Sequence, residues 1–200
     1  VIAIIDYDAG NLRSVEKALS YIGETPLITR DREALLLADK VILPGVGAFG
    51  DAMEKLDGYQ LVPVISEIVK RETPFLGICL GMQVLFERSD EAPGVKGLSL
   101  LKGSIRRIPK APGLKIPHMG WNSLEYAMPG RLFKGMEKPP YVYFVHSYYL
   151  EAEEACVTAT ASYGVTIHAS VEKGNLFGCQ FHPEKSGQAG LAMLKNFVLL

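Results

Sequence analysis

A cysteine flanked by glycines two residues away on each side, Gly77-Ile-Cys79-Leu-Gly81, is the first stretch of this chain that could do chemistry. Pro74 opens the apolar run Phe75 to Ile78, which reads as a buried strand, and Met82, Leu85 and Phe86 then recur at helical spacing. A strand that turns this abruptly into a helix leaves no room for side chains at the flanking positions. The pattern is a nucleophile elbow with sulfur in place of the serine oxygen. It sets Cys79 at the mouth of a sheet, near a helix N-terminus whose partial positive charge favours thiolate over thiol. A free cysteine more often ends in a core, so the assignment turns on finding a base.

Four histidines are available: His118, His146, His168 and His182. His182 stands in Gln180-Phe-His-Pro-Glu-Lys-Ser186. Residues two apart in an extended strand share a face, and Pro183 holds His182 out of the helical region. His182 and Glu184 can therefore project side by side. Glu184 then fixes the tautomer through one ring nitrogen and leaves the other for the thiol. Cys79, His182 and Glu184 make an acyl-transfer triad, with His146 the next candidate base.

Gly45-Val-Gly-Ala-Phe-Gly50 matches the dinucleotide-binding G-x-G-x-x-G and follows a strand. The match fails on two counts. It is the third strand-to-helix turn rather than the first, and the next strand ends in Cys79 instead of a ribose-binding carboxylate. The better reading is a glycine-rich loop that places backbone N–H groups beside Cys79, where an oxyanion would develop.

These residues need a scaffold, and the first half supplies a repeating one. Val1 to Ile5 reads as a central parallel strand. Leu12, Val15, Ala18, Leu19 and Ile22 mark a helix face, with Asn11 as N-cap and Gly23 as stop. A short strand at Pro26 to Thr29 precedes a helix from Glu33 to Ala38 capped by Asp31, and Val41 to Leu43 is the next strand. Leu61, Val64, Ile65, Ile68 and Val69 form an amphipathic stripe with Pro63 in the first turn. Alternating strands and helices predict an α/β fold with a parallel sheet, helices on both faces, and function at the C-terminal strand ends. After Arg88 the pattern becomes short and alternating. Tyr141 to Leu150 reads as one strand with Val142, Phe144, His146, Tyr148 and Leu150 on one face. Val157 to Ser162, Thr166 to Val171 and Leu176 to Phe181 are further strands, and Leu191, Leu194, Phe197 and Val198 mark a last helix.

Two hundred residues suit one domain over 1–200. The net charge of -1 gives no reason to expect nucleic acid or an anionic membrane. The apolar runs are of strand length and no leader is apparent, so a cytoplasmic protein is expected. Three cysteines without C-x-x-C spacing argue against a disulfide framework or a zinc site. No metal or cofactor is expected.

Leu-Gly-Ile-Cys-Leu-Gly-Met-Gln with Gln-Phe-His-Pro-Glu-Lys-Ser resembles the class I, triad-type glutamine amidotransferases. Asp6-Tyr-Asp-Ala-Gly-Asn-Leu12, Pro44-Gly-Val-Gly-Ala-Phe-Gly50, Glu91-Ala-Pro-Gly-Val-Lys-Gly-Leu98, Pro117-His-Met-Gly-Trp-Asn122 and Tyr143-Phe-Val-His-Ser147 narrow the likeness. They are similar to the branch that forms the glutaminase subunits of imidazole glycerol phosphate synthase. Branches serving pyridoxal phosphate, anthranilate or GMP synthesis differ at the Pro-Gly-Val-Gly loop and lack Met-Gly-Trp-Asn.

The resemblance implies a flavodoxin-like core with an added antiparallel or mixed sheet. It implies hydrolysis of glutamine to glutamate and ammonia through a thioester on Cys79. The ammonia would pass to a (βα)8 synthase partner in a heterodimer of histidine biosynthesis. By position, Val46 and Leu80 would supply the oxyanion N–H groups, and Gly47, Gln83, Ser147 and Tyr148 would hold the glutamine head group. Ser147 stands where the family usually has threonine, and the hydroxyl remains. His118, Met119, Trp121 and Lys185 fall where the family meets its synthase. Glycines on both sides of Val46 make its peptide units easy to rotate, so a resting and a competent orientation are expected. Because the chain begins at Val1, an initiator methionine is expected to precede it.

Three other readings compete. One is the glutaminase component of another amidotransferase. A second is a thiol peptidase or γ-glutamyl hydrolase on the same elbow, in which the base often directly follows the cysteine; here Leu80 stands there. The third is an inactive subunit that only stabilises its synthase, against which the intact triad argues.

Overall fold

The computed structural model describes residues 1–200. Its first half alternates as the periodicity predicts: β1 (Ile2–Ile5), α1 (Leu12–Tyr21), β2 (Leu27–Thr29), α2 (Arg32–Leu37), β3 (Lys40–Leu43), α3 (Phe49–Gly58), α4 (Leu61–Lys70) and β4 (Phe75–Ile78). The short helix α5 (Leu80–Gln83) follows at once. The second half holds β5 (Arg88–Ser89), β6 (Gly103–Arg107), β7 (His118–Ser123), β8 (Glu125–Tyr126), β9 (Tyr141–His146) and β10 (Tyr148–Ala152). It closes with β11 (Val157–Ser162), β12 (Thr166–Lys173), β13 (Leu176–Cys179) and α6 (Gly187–Val198).

One eight-stranded sheet, in the order β2-β1-β3-β4-β13-β12-β11-β8, carries the fold. Strands β2, β1, β3, β4 and β13 run parallel, and β12, β11 and β8 continue antiparallel. Because β1, β3 and β4 are buried on both faces, their sequences are continuously apolar rather than alternating. Helices α2, α3 and α4 cover one face through residues such as Leu35, Leu56 and Ile65. On the other face, α1 and α6 pack through Val15, Leu19, Leu194 and Phe197. No helix is long and apolar enough to cross a membrane.

The pairing that matters most for chemistry joins β13 to β4, with Cys179 opposite Ile78. Two strands distant in sequence thus end side by side, one running into Cys79 and the other into His182. Periodicity could identify both strands but not their adjacency.

One helix was not expected, and two expectations need correction. Residues Phe49–Gly58 form a full helix, whereas the sequence pattern was followed only as far as the glycine-rich loop; Phe49, Ala52, Met53 and Leu56 supply its buried face. Tyr141 to Leu150 is two strands, not one: β9 pairs with β7, and β10 pairs with β6 in another sheet. The chain changes sheets at Ser147, which resets the alternation and buries Tyr149. Asn11 holds the N-cap position of α1, but in the left-handed conformation (φ 61°) and without a capping bond from its side chain. Asp31 does cap α2, accepting from the Ala34 N–H at 2.8 Å.

Candidate active site

The elbow is tight enough to account for both of its glycines. Cys79 has φ 55° and ψ -112°, a conformation that non-glycine residues adopt at a cost. A Cβ on Gly81 would collide with the Leu43 carbonyl, and one on Gly77 with the Gly81 backbone. The Cys79 N–H is held by the Cys179 carbonyl at 2.7 Å, tying the elbow to β13. Gln180 Nε2 lies 3.6 Å from the Cys79 sulfur.

His182 is extended (φ -102°, ψ 98°), and Pro183 opens a single 3-10 turn, Pro183–Lys185. That geometry brings His182 Nδ1 to 2.6 Å from Glu184 Oε1 with both side chains fully buried. The carboxylate therefore fixes Nδ1 as the donor and leaves Nε2 for the thiol. Nε2 is buried without a hydrogen-bond partner of normal geometry, as catalytic contacts often are before substrate binds. Burial alone would lower the His182 pKa. The Cys79 sulfur and the Glu184 carboxylate outweigh it, and the imidazole is pushed up to about 10. A second donor reaches the same carboxylate oxygen: Asn11 Nδ2, at 2.5 Å. The amide that sequence reasoning assigned to a helix cap is spent on Glu184 instead.

A cavity of about 390 Å³ opens beside Cys79. Val46, Gly47, Leu80, Gln83, Ser147 and Tyr148, the residues expected to handle substrate, all line it. So do Glu91 and Arg107, to which the sequence pattern gave no role. Glu91 Oε1 accepts from the Phe49 N–H at 2.6 Å, and Arg107 Nη1 donates to the Tyr148 hydroxyl at 3.2 Å. The cavity thus offers one acidic and one basic side chain. Gln83 Nε2 donates to Gln180 Oε1 at 2.9 Å and to the Tyr148 carbonyl at 3.1 Å. Glu91 and Gln180 stood within motifs already noted, but nothing in their spacing pointed them at Cys79.

The two N–H groups expected to stabilise an oxyanion are both occupied. Val46 N–H donates to the Ala9 carbonyl at 3.1 Å, and Leu80 N–H donates to the Gly45 carbonyl at 3.2 Å. Both bonds involve a single peptide unit, Gly45–Val46. Rotating that unit by half a turn would free Leu80 N–H and bring Val46 N–H beside it. Below the loop, the buried Tyr7 hydroxyl donates to the Pro44 carbonyl at 2.8 Å and anchors its first residue.

Of the residues expected at a partner surface, Met119 and Trp121 are 62% and 57% exposed on the β7–β9 ribbon, and Lys185 is exposed nearby. His118 departs from that expectation. It is only 3% exposed, with its ring stacked between Phe144 and Tyr163. Strand alternation explains this, since His118 points inward where Met119 points out. The ribbon lies close to the triad: His182 N–H donates to the Tyr143 carbonyl at 3.0 Å.

A strand-to-helix elbow carrying a cysteine, beside a histidine held by a carboxylate, is the arrangement of a cysteine acyl-transfer site on an α/β sheet. The chain belongs to the class-I glutamine amidotransferase family, whose model matches residues 3–200. It is 52% identical over 197 residues to imidazole glycerol phosphate synthase subunit HisH of Bacillus cereus strain G9842, covering 98% of this chain and 93% of that protein. To the protein of the same name from Bacillus anthracis strain A0248 it is 53% identical, with the same coverage. Among solved structures, PurLQS from Thermotoga maritima superposes with a TM-score of 0.75 at 21% identity, over 99% of this chain and 97% of that one. A crystal structure of another glutamine amidotransferase gives 0.78 at 19% identity, over 100% and 97%. These two structures show the shared fold.

Proposed function

We propose that this chain, as one glutamine amidotransferase domain over residues 1–200, is the glutaminase subunit of imidazole glycerol phosphate synthase. Support comes from the near-full-length similarity to proteins of that name and, above all, from one observation. A fully buried His182–Glu184 pair stands at the strand end beside Cys79, and Cys79 itself lines a cavity that carries one acidic and one basic side chain. A zwitterionic amino acid with a side-chain amide suits such a cavity.

With the proton already on His182 Nε2, the Cys79 sulfur attacks the carboxamide carbon of glutamine. The oxyanion is held by the N–H groups of Val46 and Leu80 once the Gly45–Val46 peptide has turned. The tetrahedral intermediate collapses, breaking the C–N bond, and His182 returns the proton to the leaving ammonia. Water, deprotonated by the same nitrogen, attacks the thioester, and glutamate leaves. Gly47, Gln83, Ser147 and Tyr148 hold the head group.

The ammonia passes to a (βα)8 synthase subunit in a heterodimer, which uses it to make imidazole glycerol phosphate and aminoimidazole carboxamide ribonucleotide in the cytoplasm. The exposed Met119 and Trp121, with Lys185, form the docking face, since a solvent-facing apolar pair beside a site commonly marks a contact. Glutamate release from glutamine, measured with and without a histidine-pathway synthase barrel, tests the proposal. Release stimulated by the barrel is expected; no release in either condition would overturn it.

A further inference from the structure

Behind the cavity wall runs a chain of hydrogen bonds in which every proton can be placed. His146 Nδ1 lies 2.8 Å from the Tyr148 carbonyl, which can only accept, so Nδ1 carries the proton. His146 Nε2 is then bare and accepts from His118 Nδ1 at 2.9 Å. That leaves His118 Nε2 bare, and Asn122 Nδ2 faces it at 3.3 Å. The Asn122 amide is itself oriented, because its Oδ1 accepts from the Ser123 N–H and its Nδ2 also donates to the Ser162 carbonyl, each at 2.9 Å. The chain therefore starts on backbone at Ser123 and ends on backbone at Tyr148.

The far end of this chain is where substrate contacts converge. Tyr148 O accepts from His146 and also from Gln83, and His146, Gln83, Ser147 and Tyr148 all line the cavity beside Cys79. Ser147 is the corner at which the chain leaves the β7–β9 ribbon for the β6–β10 pair. The His146-to-Tyr148 bond closes that corner. In the other His146 tautomer, the Nδ1 lone pair would face the carbonyl lone pairs and the corner would lose its closure. His118 is held where it can prevent this. It is the cross-strand partner of His146, and its ring lies between Phe144 and Tyr163 at centroid distances of 4.6 and 3.9 Å.

We propose that His118 is a positioning residue for the substrate pocket: by donating to His146 it fixes the tautomer that holds the Tyr148 carbonyl, and with it Ser147 and Gln83. The link to glutamine rests on the function proposed above; the link to the tautomer does not. Burial pushes His118 down to about 4 and His146 to about 3, so both stay neutral as the chain requires.

Two variants divide the side chain's contributions. His118→Phe keeps a flat ring in the stack and removes the donor, whereas His118→Asn loses the ring but keeps an N–H near the position of Nδ1. In His118→Phe, KM for glutamine should rise about tenfold, the scale of one lost buried hydrogen bond, with kcat changed less than about twofold. His118→Asn should recover most of that KM. Long-range ¹H–¹⁵N spectra of the full chain should show His146 protonated at Nδ1 in the parent and in His118→Asn, and mixed tautomers in His118→Phe. Partner affinity is measured alongside, because β7 also carries Met119 and Trp121. A parent His146 protonated at Nε2 would overturn the proposal without any variant having to fold. So would an unchanged KM in His118→Phe, or a loss confined to kcat. A parent that releases no glutamate would instead overturn the glutaminase reading.

Discussion

Cys79→Ser keeps the volume of the elbow side chain but replaces a thiol with an alcohol that imidazole ionises far less readily. Glutamate release should fall to background while the unfolding midpoint stays near the parent value. A glutamine-derived diazo-ketone should label Cys79 alone. Burial pushes Cys156 up to about 11 and Cys179 well above its ordinary value, so neither offers thiolate; label on either with Cys79 untouched would refute the assignment. His182→Ala should be nearly inactive. Glu184→Gln, which can still hydrogen-bond but no longer stabilises imidazolium, should lose on the order of 10²–10⁴ in rate. Asn11→Ala removes the second donor to Glu184 Oε1 and should cut kcat about tenfold with KM unchanged, as expected for one charge-assisted bond. Equal KM and kcat effects would show that Asn11 acts elsewhere. The elbow at Cys79 and the His182–Glu184 pair were each legible because each is local, set by glycine spacing and by one proline. That the two meet depends on the pairing of β13 with β4, which periodicity did not show. Asn11 was not legible, because it meets Glu184 only after β1 and β13 have taken their places in the sheet, and its residue type fitted a helix cap equally well.

The Gly45–Val46 peptide rests with its N–H on the Ala9 carbonyl and its own carbonyl on the Leu80 N–H, an orientation that leaves neither N–H free for an oxyanion beside Cys79. Loss of one such donor costs about 2.7–4 kcal/mol, or roughly 10²–10³ in rate. The isolated chain should therefore be a slow glutaminase, and a partner that binds the turned peptide more tightly should accelerate it. Steady-state glutamate release is measured for the chain alone, with the synthase, and with synthase plus a nucleotide ligand. Full activity in the isolated chain, unchanged by either addition, would mean the peptide turns freely and is no switch. The glycines around Val46 made rotation legible in the sequence; the direction of rest depended on the Ala9 carbonyl, which periodicity could not place. Elsewhere the same limit applies to elements. Helix α3 was masked by the glycine motif that leads into it. Strands β9 and β10 were fused because their alternation continues across the Ser147 corner, where the chain exchanges one sheet for another.

Across the whole molecule, two groups of histidines shape stability against pH in opposite senses. Burial holds His118 and His146 at about 4 and 3, below the ordinary 6.5. The unfolded chain therefore binds more protons as pH falls below about 6.5, and stability should drop on the acid side. His182, raised to about 10, contributes stability that is complete below about 6.5 and lost as pH rises through 10. Urea unfolding free energies should peak near pH 6.5, and His118→Asn should flatten the acid limb; a flat parent limb between pH 6.5 and 4.5 would contradict the assignment. Trp121 is 57% exposed on β7, and its neighbour Met119 is 62% exposed. A monomer gains nothing by leaving two large apolar side chains in water beside its active site. The ribbon that carries them is bonded to the catalytic loop through Tyr143, whose carbonyl holds the His182 N–H and whose own N–H donates to Ser186 Oγ at 3.0 Å. A partner seated on Trp121 would therefore press on a ribbon that also braces the base. Aromatic anchors of this kind commonly carry about 2 kcal/mol or more, roughly a thirtyfold change in Kd. Trp121→Ala should weaken assembly with the synthase by at least that factor. It should leave Cys79 labelling by the diazo-ketone unchanged in the isolated chain, because Trp121 is exposed and packs edge-on to Tyr143 on the ribbon. Titration calorimetry checks the first outcome and mass spectrometry the second. A variant that assembles like the parent would remove Trp121 from the docking face and leave Met119 and Lys185 to carry it.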